Sequence, residues 1–263
     1  MSAVTATVDG NVGVLTLNRP EKFNCISKAL VRALNDGMDA LESNPEVRAI
    51  VVRGEGKVFC TGADLTEILE TREDQTSLHA LLDDLLRALR RFETSPLPVL
   101  AAVHGLALAG GLEIVMSCDI VFAAKSARLG DQHSQYGLVP GGGNSQRLTR
   151  VLGRRRALDL MFSARWLGAQ EAYDWGLVNY VVEDDALVDE AMAYAKKLAS
   201  HSSDGLAMIK RMTDEGLDMT LPDGLSLEVQ LAVDGLRSPD SSEGLQAFQE
   251  RREPNFRTRQ IEG

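Results

Sequence analysis

The residues best suited to chemistry in this 263-residue chain lie between Pro98 and Leu148. Val99–Val103 reads as a buried strand, followed by His104-Gly105-Leu106-Ala107-Leu108-Ala109-Gly110-Gly111-Leu112-Glu113 and a second strand at Ile120–Ala123. A glycine-rich turn follows at Pro140–Gly143. A strand that feeds a glycine turn and opens a helix lets a ligand come close to the backbone. The first turn of that helix offers N–H groups with no internal partner. Glu113 falls about one turn into the helix, close to the same opening. A backbone donor and a carboxylate then face one small volume. That pairing suits reactions in which negative charge develops on a carbonyl oxygen.

The elements that must hold this stretch can be read on either side of it. Ala6, Val8, Val12, Val14 and Thr16 alternate with Gly13, Leu15 and Leu17 on either side of Asp9-Gly10-Asn11, which predicts a β-hairpin ended by Asn18-Arg19-Pro20. Ser27 can cap a helix with Leu30, Leu34, Met38 and Leu41 on its buried face, stopped by Pro45. Ala49–Val52 is a short apolar run suited to a buried strand, and Gly54–Gly62 a loop. Leu78, Leu81, Leu82, Leu85, Leu86, Leu89 and Phe92 mark a long helix that ends before Pro96 and Pro98. Beyond the central stretch, Asn144–Val151 and Arg154–Phe162 predict two helices split at Gly153. Gln170–Trp175 predicts a short helix and Val178–Val182 a strand. Leu187 to Leu198 forms an amphipathic helix, and only helical patterns follow Asp204, broken at Gly216, Pro222 and Ser238. Strands and helices alternate to about residue 183, so the first part predicts an α/β layer fold.

Composition sets bounds on function. The net charge of −10 and a pI near 5.0 argue against nucleic acid as a partner. Cys25, Cys60 and Cys118 are odd in number and lack metal-ligand spacing, so no metal is expected. Together with the absence of a signal-peptide pattern, they predict free thiols in a cytoplasmic protein. No apolar run approaches the ~18 residues of a membrane span, so no membrane association is expected.

Five stretches together resemble the crotonase (enoyl-CoA hydratase/isomerase) superfamily. Phe59-Cys60-Thr61-Gly62-Ala63-Asp64-Leu65 is similar to its first signature, and Gly105–Glu113 with Cys118-Asp119-Ile120 to its second. Gly137-Leu138-Val139-Pro140-Gly141-Gly142-Gly143 with Gln146-Arg147-Leu148 resembles the third. Leu17-Asn18-Arg19-Pro20 and Ala247-Phe248-Gln249-Glu250-Arg251-Arg252 fit near the two ends. The resemblance implies an α/β spiral of ββα units over residues 1–200 and an α-helical trimerisation region over 201–263. It implies a homotrimer or dimer of trimers, an acyl-CoA thioester substrate, and no cofactor beyond the coenzyme A of the substrate. By position, the backbone N–H groups of Ala63 and Gly110 would form an oxyanion hole for a thioester enolate. The coenzyme would lie near Lys22 and Asn24 and along Ala63, Asp64 and Leu65. The rest of the substrate would be bound by Gly110, Gly111, Tyr136 and Gly141, and Phe248 and Arg252 of a neighbouring subunit would reach the nucleotide. The Asp64 side chain itself is better suited to capping the loop after Ala63.

The sequence departs from that pattern at one decisive position. Hydratases of the superfamily place two glutamates around the attacking water. Glu113 matches the first. Counting back from Gly137–Gly141 and forward from Ala127–Gly130 puts His133 in place of the second, within Asp131-Gln132-His133. Ala109 also replaces a glycine, read from the sequence as a minor change. Glu113 and His133 are therefore the expected catalytic residues, since a carboxylate and an imidazole can move protons between them. Hydration of a 2-enoyl-CoA is the leading expectation. Hydrolysis, isomerisation or C–C cleavage is the alternative, because His133 is not a carboxylate, and a non-catalytic CoA-ester binder ranks below both. Gly141 stands where some isomerases and dehalogenases of the superfamily carry an aspartate, which argues against those mechanisms. His104 reads as a satisfied core histidine, and His79 and His201 as solvated.

Overall fold

The computed structural model describes residues 2–256. The N-terminal alternation forms an antiparallel hairpin, β1 (Val4–Asp9) on β2 (Val12–Leu17), with Val4 opposite Leu17 and Asp9 opposite Val12. Next come α1 (Lys28–Glu42), β3 (Ala49–Gly54), α2 (Leu65–Thr71) and α3 (Gln75–Thr94). The central stretch gives β4 (Val99–Val103), β5 (Leu106–Leu108), α4 (Gly110–Met116), β6 (Ile120–Ala124) and β7 (Arg128–Gly130). A 3₁₀ turn at Ser134–Tyr136 leads to α5 (Asn144–Ser163), β8 (Leu167–Gly168), α6 (Ala169–Asp174), β9 (Tyr180–Val182) and α7 (Leu187–Ala199). The helices α8 (Ser203–Gly216), α9 (Leu221–Leu236) and α10 (Pro239–Glu250) complete the described chain.

The strands form two sheets. The larger has the order β1-β2-β3-β4-β6-β9, parallel from β2 onward; the smaller has β5-β7-β8. Each turn of the chain gives one strand to each sheet and returns through a helix: β4, β5, α4, then β6, β7, α5. This is the expected spiral of ββα units. β2 is buried along its length, and β4 entirely, because each pairs on both edges beneath a helical layer. α1 supplies part of that layer. Ser27 Oγ accepts the Leu30 N–H at 3.1 Å to start it, and Leu30, Leu34, Met38 and Leu41 are buried. Gly153, non-helical at φ +73° and ψ +156°, splits α5 at the expected place.

Four elements have no counterpart in the sequence reading. β5 lies within the stretch read as a turn, and β7, β8 and α2 are also new. The three strands have three, three and two residues, too few for alternation to register. α2 carries Leu65, Ile68 and Leu69 at helical spacing, but it has seven residues and buries none of them, too short a pattern to stand out.

The helical tail is tied to the body. Lys210 Nζ of α8 donates to the carbonyls of Phe92 and Leu97, and to Asp119 Oδ2 at 2.8 Å. Arg48 reaches Ser203 Oγ and the His201 carbonyl. One side of α9 stays uncovered within the chain: Leu221, Leu225, Val229, Val233 and Leu236 are all exposed.

Candidate active site

Three parallel segments run side by side and end at the same edge. Cys60 bridges to Ala107 of β5, with the Cys60 N–H on the Leu106 carbonyl and the Leu108 N–H on the Cys60 carbonyl, both at 3.0 Å. On the other side β5 pairs with β7, and the Ala109 N–H extends that ladder to the Gly130 carbonyl at 2.9 Å. Thr61-Gly62-Ala63, Ala109-Gly110 and Asp131-Gln132-His133 therefore leave the sheet together. The loops touch: a Cβ on Gly62 would stand 3.5 Å from the Gly110 nitrogen. Gly111 is packed still harder, since a methyl there would lie 2.1 Å from the Cys60 oxygen; only a glycine permits this approach. Among the described residues, the N–H groups of Ala63 and Gly110 meet no acceptor.

Ala109 caps α4 at φ +49° and ψ −115°, a conformation that residues with a Cβ rarely adopt. The replacement of glycine at this position is therefore not minor, as the sequence had suggested. The backbone is held in a glycine conformation by the Ala109–Gly130 bond on one side and the Glu113 N–H on the Ala109 carbonyl on the other.

Glu113 is 2% exposed. Its Oε1 accepts the Gly142 N–H at 2.8 Å and, at longer range, the Asn144 N–H at 3.4 Å. The glycine turn thus positions the carboxylate, and a Cβ on Gly142 would lie 2.5 Å from Oε2. Burial raises the Glu113 pKa; the charge of His133 and the two backbone N–H groups partly offset this. A carboxyl group tuned upward titrates closer to neutrality, where acid–base exchange is most effective.

His133 precedes the 3₁₀ turn, with its Nδ1 2.9 Å from Asp131 Oδ1. Burial lowers the pKa of the ring, but the hydrogen bond and charge of Asp131, with the charge of Glu113, raise it above the ordinary histidine value. Asp131 is itself fully buried, and its Oδ2 accepts Asn144 Nδ2 at 2.9 Å. A chain of contacts therefore runs His133–Asp131–Asn144–Glu113. Asp131 and Asn144 were not singled out from sequence. The only available signal was the proximity of Asp131 to His133, which does not distinguish a buried carboxylate from a surface one.

The remaining expected binding residues fall into two groups. Lys22, Leu65, Tyr136 and Phe248 are exposed, while Gly110 and Gly111 are buried at the start of α4 and Gly141 is half-buried against Leu82. Asn24, Asp64 and Arg252 have side chains engaged inside the chain. Asn24 is fully buried, accepting from the Arg19 N–H and donating to the Glu55 and Val58 carbonyls, so it pins the loop before Cys60. Asp64 accepts the Thr66 N–H as the cap of α2 and pairs with Arg19 at 3.0 Å, which is the capping role expected. Arg252 bridges Glu243 and Glu250 within its own tail. His104 Nε2 contacts the Gly56 carbonyl at 3.1 Å, so the ring is satisfied as expected, but it is half-buried at the surface rather than in the core. Among the described residues no group of histidine, cysteine and carboxylate side chains could hold a metal ion, and no helix is long and apolar enough to cross a membrane.

Comparison with known proteins fits this geometry. The family model for enoyl-CoA hydratase/isomerase matches residues 7–259. The chain belongs to the enoyl-CoA hydratase/isomerase family. A probable enoyl-CoA hydratase of Rhizobium meliloti is 37% identical over 261 residues, covering 98% of this chain and 100% of that protein. One from Bacillus subtilis is 35% identical over 258 residues, covering 98% and 99%. The crystal structure of an enoyl-CoA hydratase from Bacillus anthracis superposes with a TM-score of 0.93 at 32% identity, over 98% of this chain and 100% of that one. The family's α/β fold, with its helical C-terminal region, is the fold found in this chain.

Proposed function

We propose that this protein hydrates a 2-enoyl-CoA thioester. The observation that carries the reading is that the Gly62-Ala63 loop touches Gly110, that the N–H groups of Ala63 and Gly110 meet no acceptor among the described residues, and that Gly142 fixes the buried Glu113 on the same helix, α4. The names of its relatives support it. In this reading the thioester oxygen lies between the two N–H groups, which stabilise the charge it gains as water adds to C3 and an enolate forms. Glu113 takes the proton from the attacking water. His133, held toward its protonated form, gives a proton to C2. Water adds across one double bond, so the reaction requires no cofactor beyond the coenzyme A of the substrate. The coenzyme runs past Ala63 and Leu65 with its phosphates near Lys22, while Tyr136 and Gly141 border the acyl end.

We further propose that the uncovered face of α9 packs against other copies in a homotrimer or dimer of trimers. Phe248, exposed on α10, then faces a neighbour's nucleotide. Cytoplasmic acyl-CoA metabolism is the setting these features fit.

The test is turnover of a panel of 2-enoyl-CoA esters of varied chain length, followed by loss of the conjugated thioester absorbance. Glu113→Gln should lower kcat by about 10²–10⁴-fold while KM changes little. No hydration of any panel member would refute the reading. Hydrolysis or C–C cleavage is the second reading, favoured by one observation: an imidazole held by a buried carboxylate can also activate water toward a carbonyl. Free coenzyme A released from a saturated ester would establish hydrolysis, and acetyl-CoA released with an aldehyde or carboxylate fragment from a β-hydroxy or β-keto ester would establish C–C cleavage.

A further inference from the structure

Asp131 has no part in the chemistry described so far, yet it is a fully buried carboxylate. Such a group is costly unless paired and hydrogen-bonded. All its bonds lead to the site. Oδ1 faces His133 Nδ1 at 2.9 Å and accepts the His133 N–H at 3.2 Å, and Oδ2 accepts Asn144 Nδ2 at 2.9 Å. The Asn144 amide is oriented unambiguously, because both partners of Nδ2, Asp131 Oδ2 and the Ala109 carbonyl at 3.4 Å, are acceptors.

We propose that Asp131, locked by Asn144, is a positioning residue that fixes the Nδ1–H form of His133 and makes Nε2 the nitrogen that exchanges protons with the substrate. An ionised carboxylate only accepts hydrogen bonds, so a neutral ring facing it must carry its proton on Nδ1. Among the described residues Nε2 has no hydrogen-bond partner. The dyad lies at the end of β7, beside the Gly110 end of β5, so Asp131 ties the ring to the sheet edge from which the Ala109-Gly110 loop leaves. Asn144 joins the dyad to the carbonyl of Ala109 and, through its own N–H, to Glu113. One asparagine thus registers the oxyanion loop, Glu113 and His133 against each other.

The charged groups around the ring agree with this role. Asp131 acts from the same segment and Glu113 from α4, both favouring the imidazolium. On α5, packed beneath the 3₁₀ turn, Arg147 is taken up by Glu93 at 3.0 Å, and Asp159 pairs with Arg165 at 3.0 Å. His133 therefore holds its proton to higher pH than a free histidine and loses it from Nε2.

The proposal rests on the acyl-CoA reading only for its kinetic consequence; the protonation itself can be measured without substrate. The chain has four histidines, His79, His104, His133 and His201, so nitrogen-15 imidazole signals of the uniformly labelled protein can be assigned with His133→Gln. The expected result is a His133 midpoint above the ordinary value of about 6.5 and an Nδ1–H neutral form. In Asp131→Asn the midpoint should fall by about one pH unit or more. The neutral form should shift toward Nε2–H, as the new amide keeps its oxygen for Asn144 and turns its nitrogen to the ring. Hydration kcat should fall about 10²–10⁴-fold with KM within a few-fold. If Asp131→Asn does not fold, the wild-type midpoint and proton position decide alone. A wild-type midpoint at or below about 6.5, an Nε2–H neutral form, or an unchanged titration in Asp131→Asn would overturn the proposal. If His133 titrates as expected but no acyl-CoA ester is turned over, the dyad stands and the hydration reading falls. If the enzyme hydrates and His133 titrates normally, the reverse holds.

Discussion

Ala109 holds a backbone conformation that costs on the order of 1–3 kcal/mol for a residue with a Cβ. Ala109→Gly should remove that strain and lose part of the gain to the greater freedom of glycine when unfolded. The net expectation is a gain of about 1 kcal/mol in stability, read from denaturant midpoints. Gly142→Ala tests the opposite effect. Its methyl would meet Glu113 Oε2 at 2.5 Å, so the carboxylate must move. The expected outcome is a fall in kcat on the order of 10²-fold with far-ultraviolet dichroism unchanged. A variant with full activity would show that the carboxylate position is unimportant. At this scale the sequence was informative where a residue type speaks for itself. Glu113 and His133 could be placed by counting from glycines. The partnership of Asp131 with Asn144 spans thirteen residues and forms only after two loops fold together, so no local pattern could show it.

Among the elements, legibility followed length. α1, α3 and α7 bury one apolar face each and were evident from their spacing. The small sheet was not, although it aligns the three loops of the site, because strands of two or three residues carry no period. The attachment of α8 was hidden for a different reason: Lys210 meets Phe92, Leu97 and Asp119 across about a hundred residues. Burial pushes the Asp119 carboxyl up to about 6, against the opposing charge and hydrogen bond of Lys210 and the N–H of Val99. The folded protein then binds this proton more tightly than the unfolded chain. The group therefore favours folding most below about pH 4, and that contribution is lost as pH rises through about 6. Lys210→Met should raise the Asp119 titration further and, with the Asp119 side chain 26% exposed and screened by solvent, cost about 1 kcal/mol at neutral pH, with a smaller loss at pH 4. Carboxyl carbon NMR and denaturation at the two pH values would check both; an equal loss at each pH would contradict the assignment.

Taken whole, the molecule combines a core deep enough to bury β2, β3 and β4 with a tail whose outer side is apolar. The fold class was legible because signature stretches occur in the right order along nearly the full chain. For an assembly of copies the sequence offers only what the family resemblance implies. The stripe of Leu221, Leu225, Val229, Val233 and Leu236 carries a consequence of its own. If copies of the chain cover it, the folded state is a reactant in an association equilibrium, and its melting temperature becomes a function of protein concentration. Dilution should then act as a denaturant. Melting curves over a hundredfold range of concentration should rise steadily with it, and Val229→Glu should flatten the slope while lowering the sedimentation coefficient toward that of a single chain. A melting temperature independent of concentration would mean that the stripe faces water, where an apolar surface of this kind makes a chain prone to aggregate.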